Sequence, residues 1–123
     1  KSMKALLIIA HGSRRPASND EVKKIATQIR EHGQHDFDMV ESAFLELASP
    51  LIPEGIEHCV KSGAKQIVVS PYFLNSGKHV TEDIPEIIAE VKAAHPDIII
   101  EVTPHVGSSP IMLDLILKTA SGS

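Results

Sequence analysis

The sequence predicts an α/β fold: one domain over residues 3–120, with a four-stranded parallel sheet and helices on both faces. Three observations predict it. Short apolar runs alternate four times with stretches whose apolar residues recur at helical spacing. The helix-like stretches are punctuated by polar or proline starts and by Gly or His-Pro stops. No repeat, linker or low-complexity segment divides the 123 residues, a length that supports one core and not comfortably two.

Lys4 to Ala10 is a short apolar run of the kind buried on both faces of a parallel sheet. Ser18 and Glu21 read as a capping box ahead of Val22, Ile25, Ala26 and Ile29, and Gly33 closes that helix. Met39 to Leu47 reads as the second strand. Ser49-Pro50 then supplies an N-cap and a first-turn proline for the stripe Ile52, Ile56, Cys59 and Val60, with Pro53 blurring the start and Gly63 the stop. Gln66 to Phe73 is the third strand. After a loop from Leu74 to Glu82, Asp83 caps a helix with Glu86 as its partner, through Ile84, Ile87, Ile88 and Val91 to His95-Pro96. Ile98 to Val102 is the fourth strand, and Ser109-Pro110 opens a last helix through Met112, Leu115 and Ile116. Lys1-Ser2 ahead of Met3 reads as an expression remnant, and Ser121-Gly122-Ser123 as a flexible end.

Composition narrows the function. The formal net charge of −4 and the scarcity of aromatics, with no Trp and one Tyr, argue against nucleic-acid binding. No apolar run reaches membrane-spanning length, and no signal-peptide pattern appears. The single cysteine, Cys59, rules out an internal disulfide framework and suits a reducing cytoplasm; its place in an apolar stripe assigns it to the core.

In a parallel sheet the strand C-termini share one edge, where open α/β sheets bind ligands. That edge carries His11 to Arg15, then Glu46, then Asn75 to His79, then His105. His11 follows its strand directly, with Gly12 and Ser13 behind it. A lone histidine there would read as structural, but the small-residue turn favours a functional one. His79 is either a solvated loop residue or, paired across the edge with His11, a second metal ligand or proton acceptor. Two imidazoles suit cobalt, iron, nickel or zinc. No HExxH or CxxC motif indicates a closed structural zinc site. Glu46 is equally an edge carboxylate or a third ligand or proton relay. His105, after Pro104, reads as a turn residue. Arg14, Arg15 and Lys78 are solvated charges or anchors for an anionic substrate.

At these residues the chain resembles a known family. "IIAHGSR", "SAFLELASP" and "PYFLNSGKHVTEDIP", in that order, are similar to the sirohydrochlorin chelatases, class II tetrapyrrole chelatases, in their short, CbiX-type cobaltochelatase form. The third motif is the most specific, and the resemblance runs from Met3 to Ala120. It implies a lyase-type enzyme that inserts a divalent metal into sirohydrochlorin for cobalamin or sirohaem biosynthesis. Cobalt is the first expectation, with ferrous iron or nickel as substitutes, and no organic cofactor is expected. By the same resemblance, His11 and His79 bind the metal and assist removal of the pyrrole protons, Glu46 helps, and the short form pairs as a homodimer. Sirohydrochlorin carries eight carboxylates, so Arg14, Arg15 and Lys78 become candidate anchors, with Phe73 and Leu74 against its apolar face. No family role passes to His105.

Two other classes are open on sequence. A metal or tetrapyrrole carrier would keep both histidines and show no turnover. A histidine phosphatase also begins with a histidine-glycine turn after its first strand, but it needs further arginines and a second histidine in a different setting from "GKHVTEDIP".

Overall fold

The protein, described here over residues 3–122 of a computed structural model, builds its sheet from β1 (Met3–Ala10), β2 (Met39–Phe44), β3 (Ala64–Pro71) and β4 (Ile99–Val102). The order is β2-β1-β3-β4 and every pairing is parallel. The expected single parallel sheet is therefore present. The expected remnant at Lys1-Ser2 and the terminal Ser123 lie outside the described residues.

The connecting helices are α1 (Pro16–His32), α2 (Ile52–Lys61), α3 (Ile84–Ala94) and α4 (Ile111–Ser121). Strand order dictates which face each covers. The step from β1 to β2 runs one way along the sheet, and the steps from β2 to β3 and from β3 to β4 run the other way. Right-handed crossovers then place α1 on one face and α2 with α3 on the opposite face. The two cores follow that division. Leu7, Ile9, Ile67, Val69 and Ile100 point to α2 and α3, where they meet Ile52, Ile56, Cys59, Ile84 and Ile88. Ile8, Val40 and Phe44 point to α1 and its Val22 and Ala26. The alternation is that of strands whose neighbouring side chains face opposite ways.

Several starts and stops differ from the sequence reading. The helix α1 begins at Pro16 with Arg15 as N-cap and no side-chain cap, so Ser18 and Glu21 form no capping box. The reason lies just upstream. Asn19 Oδ1 accepts from the Ser13 N–H, its Nδ2 donates to the Ser13 carbonyl, and Ser13 Oγ accepts from the Arg15 N–H. This network holds the turn and starts the helix two residues before Ser18. The N-cap of α2 is Leu51, with Pro53 in the first turn and Glu54 accepting from the Leu51 N–H, so Ser49-Pro50 stands ahead of the helix. The strand β2 stops at Phe44, because Leu47 adopts a left-handed φ of 65° that ends the extended chain. The helical path toward α3 starts early, with a π-type turn over His79–Asp83, so Asp83 lies inside a helical run and caps nothing. Ser121 belongs to α4 and Gly122 is its left-handed C-cap, so neither is loose chain.

The larger departure concerns α4. It follows a short 3-10 turn at Val106–Ser108 and buries none of its residues. Its substantial contacts are with that turn, and it does not layer onto the sheet.

Candidate functional site

The strand C-termini bring two histidines and two carboxylates together. His11 follows β1, and the hydrogen bonding between β1 and β2 continues past the strand ends. The Leu45 N–H donates to the Ala10 carbonyl at 3.0 Å, and the Glu46 N–H donates to the His11 carbonyl at 3.1 Å. Glu46 is therefore placed by the backbone, two residues beyond the end of β2. Its Oε2 lies 3.0 Å from His11 Nε2. The intervening Gly12 makes this approach possible. Its φ is +96°, and a Cβ there would fall 1.7 Å from the Glu46 carbonyl oxygen. Only glycine meets both demands.

His79 reaches the same place from the other side. Its ring centroid is 4.5 Å from that of His11, with the planes tilted by 37°. The π-type turn that begins at His79 sets this position. His79 Nδ1 lies 2.7 Å from Asp83 Oδ2, four residues on. An ionised carboxylate only accepts, so Nδ1 carries the hydrogen and Nε2 keeps its lone pair. A carboxylate behind a histidine in this way sets the tautomer and ring angle of a metal ligand. At His11 the geometry differs, since Nε2 and the Glu46 oxygen face each other directly. That pair holds one hydrogen between an imidazole nitrogen and a carboxylate oxygen, so the two groups can hand a proton from one to the other.

The side chains are half open, with exposures of 46% for His11, 57% for Glu46, 43% for His79 and 35% for Asp83. Among the described residues, no three His, Cys, Asp or Glu side chains are grouped so that together they could hold a metal ion. The arrangement is an open site with two ring nitrogens at hand, suited to an ion that arrives and leaves. Beside it lies a groove of about 300 Å³ lined by Glu46, His79, Asp83, Glu86 and Glu90, with Leu45 and Ile87. Its charge favours a cation over an anion.

The cationic candidates sit on the same edge. Arg14 and Arg15 occupy the turn leading into α1, with Arg15 at the N-cap where the helix dipole adds positive potential. Lys78 directly precedes His79. All three are exposed, and among the described residues none forms an ion pair. Phe73 is half-buried against the main core and Leu74 is 67% exposed; with Tyr72 and Val106 they line a recess of about 190 Å³. His105 is not part of the histidine pair. It lines an apolar groove with Val80, Ile84, Ile88, Val102 and Pro104, beside the edge strand. Cys59 is fully buried. Burial, helped by the nearby Glu41 charge, pushes its thiol up to about 11, so it is an inert core residue.

Sequence reasoning missed the role available to Asp83, which it read as a cap. The signal was present: a His and an Asp four apart share one helical face once the helix starts at His79. Glu86 and Glu90 extend that face to positions seven and eleven beyond His79, and Glu86 too had been assigned to a cap.

The fold and site define a class: a parallel α/β domain with an open pair of imidazoles at its ligand-binding edge. The chain belongs to the CbiX family, whose profile matches residues 5–122. A sirohydrochlorin cobaltochelatase of Methanocaldococcus jannaschii is 37% identical over 93 residues, which make up 76% of this chain and 64% of that protein. The chloroplastic sirohydrochlorin ferrochelatase of Arabidopsis thaliana is 35% identical over 111 residues, 90% of this chain and 48% of that protein. Among solved structures, the sirohydrochlorin chelatase SirB from Bacillus subtilis subspecies spizizenii, in complex with cobalt, superposes with a TM-score of 0.86 at 31% identity. That superposition covers 98% of this chain and 50% of SirB. The chain thus spans about half to two thirds of the length of these relatives. No helix among the described residues is long and apolar enough to cross a membrane.

Proposed function

We propose that this chain inserts a divalent metal, cobalt in the first instance, into sirohydrochlorin, with His11 and His79 as metal-handling residues and Glu46 as proton relay. The observation that carries the reading is the pair of rings 4.5 Å apart, each with its own carboxylate. Insertion releases two pyrrole protons and needs an ion partly stripped of water. Two imidazoles on one open edge, each beside its own carboxylate, can divide these tasks. A ring nitrogen cannot ligate the ion and accept a proton at once, so the work is divided. His79 Nε2, its lone pair left free by Asp83, receives the ion. His11 works with Glu46 to take the protons in turn and pass them to solvent, and its ring is free to join the metal once they have left. Arg14, Arg15 and Lys78 hold the carboxylates of the macrocycle. The cobalt-bound SirB structure and the cobalto- and ferrochelatases among the relatives support this choice of substrates.

The same reading includes a homodimer in the cytoplasm, acting in cobalamin or sirohaem biosynthesis. One sheet edge gives a large flat macrocycle a single wall, whereas a small-molecule site normally buries most of its ligand. A second copy supplies the missing wall by twofold symmetry. The test is anaerobic incubation with sirohydrochlorin and Co²⁺, Fe²⁺ or Ni²⁺ in turn, followed by absorbance. Insertion well above the protein-free rate, fastest with cobalt, is expected. Metal binding with no acceleration for any ion would make the chain a carrier and overturn the proposal.

A further inference from the structure

Among the described residues, one apolar helix lacks a layer and one half-sheet lacks a helix. Ile111, Leu113, Leu115, Ile116 and Leu117 of α4 are between 51% and 73% exposed. Asp114 and Lys118 are the only charged residues on that helix, so it is apolar nearly all round. A helix of that character is normally buried. An 11-residue helix also draws most of its stability from packing, not from its own hydrogen bonds.

The vacancy follows from the sheet register. Lys4, Leu6 and Ile8 of β1 pair with Gln66, Val68 and Ser70 of β3, and Gln66 and Val68 pair with Ile99 and Glu101 of β4. These side chains share the face that α1 covers. The α1 core nonetheless takes its residues from α1, β1, β2 and their flanking loops, and none from β3 or β4. Val68 is only half-buried there, and Ile99 is 59% exposed. Right-handed winding puts α2 and α3 on the opposite face, so among the described residues α4 is the helix left to cover this area.

We propose that α4 docks on the open β3–β4 face of a second copy of this chain, the two copies exchanging their last helices. This rests on the pairing proposed above and specifies its interface. The occupant is a second copy because a single chain carries both the unmatched helix and the unmatched face, as a twofold contact requires. The direction of α4 agrees. The 3-10 turn before it is tied to the ligand edge by the Gly107 N–H, which donates to the Phe73 carbonyl at 2.9 Å. The helix therefore leaves from the edge that carries His11 and His79, and a twofold axis at that edge carries it to the partner. At about 16 Å long and about 10 Å wide, two such helices docked reciprocally bury on the order of 1,000 Å². The facing ligand edges add to this, bringing the total into the range of a specific dimer.

Site-directed cross-linking tests the exchange, since buried Cys59 leaves introduced thiols as the reactive ones. Chains carrying Ile99→Cys are mixed with chains carrying a single cysteine at 111, 113, 115, 116 or 117, and treated with a short bis-maleimide. The expected product has twice the chain mass, contains one chain of each kind, and forms with at least one α4 position. In parallel, the Leu113→Lys/Ile116→Lys double variant is expected to sediment as a monomer with its strand and helix signal retained. In a chain that carries both Ile99→Cys and an α4 cysteine, diluted into an excess of wild type, a cross-link that leaves the product at single-chain mass would show that α4 folds back on its own sheet and would overturn the exchange. A wild-type dimer that gives no mixed product and survives the lysine substitutions would overturn it too, while leaving the pairing intact. A wild-type monomer in the presence of sirohydrochlorin would remove both.

Discussion

Replacing Gly12 by alanine is expected to disable the site through the backbone, without touching a histidine or carboxylate. The new Cβ would lie 1.7 Å from the Glu46 carbonyl oxygen and 3.3 Å from Phe44 Cβ. An ordinary contact is about twice the shorter distance, so the Glu46 loop must retreat by roughly 1.5 Å or more. That retreat breaks the 3.1 Å hydrogen bond from Glu46 to the His11 carbonyl and pulls Oε2 away from His11 Nε2. A left-handed φ costs an L-residue about 1–2 kcal/mol, and the lost bond about 1 kcal/mol. The sum is about 2–3 kcal/mol, or roughly a 10 °C fall in Tm for a domain of this size. A displacement of that order in a reacting group lowers a rate by about 100-fold. Gly33→Ala is the control. Its φ of +77° carries the same backbone cost, but a Cβ there meets nothing within 4 Å. That variant should lose about 1–2 kcal/mol and keep its insertion rate. Urea melts and cobalt insertion assays on both proteins decide the matter. If Gly12→Ala inserts metal within twofold of wild type, the argument that Gly12 seats Glu46 against His11 is wrong.

Three further outcomes follow from the same geometry. Asp83→Ala removes the acceptor that holds the His79 tautomer and should weaken metal binding about 10- to 100-fold, with partial recovery in Asp83→Asn; equal affinity for Co²⁺ in a calorimetric titration would count against a positioning role. Alanine at Arg14, Arg15 and Lys78 together should raise KM for sirohydrochlorin, flatten its salt dependence and leave metal affinity unchanged; a KM that still rises with salt as in wild type would exclude these anchors. The Cys59 thiol, pushed up to about 11 by burial, keeps its proton in the folded state where the unfolded chain loses it near pH 9. Stability should therefore fall as pH rises from about 9 to about 11, by up to roughly 2–3 kcal/mol, and Cys59→Ala should abolish that component in urea melts taken at several pH values.

The fold was legible because its signals are periodic. The buried runs of β1 and β3 and the stripes of α1 to α3 each depend on many residues. Local punctuation was read less well, because single polar residues have several possible partners. Ser18, Ser49 and Asp83 all looked like caps. Asn19 tied down Ser13 and moved one helix start, Glu54 bonded at Leu51 and moved another, and Asp83 went to a histidine. The meeting of His11 with His79 was foreseeable from topology, since both follow strands whose ends share an edge. The approach of Glu46 was less so, because it depends on backbone pairing beyond β2 and on the positive φ at Gly12. The detachment of α4 left no mark in its own pattern. A helix that packs on its own sheet and one that packs on a partner bury the same kinds of side chain.

The central claim is that the two adjacent imidazoles perform the insertion, and paired substitutions test it most directly. Wild type, His11→Ala, His79→Ala and the double variant are compared in anaerobic cobalt insertion into sirohydrochlorin, each first shown by far-ultraviolet circular dichroism to be folded. Each single variant should lose at least about 100-fold in rate, and the double variant little more than either single one, because residues acting as one unit are not additive. Folded single variants that insert cobalt at the wild-type rate would contradict the account.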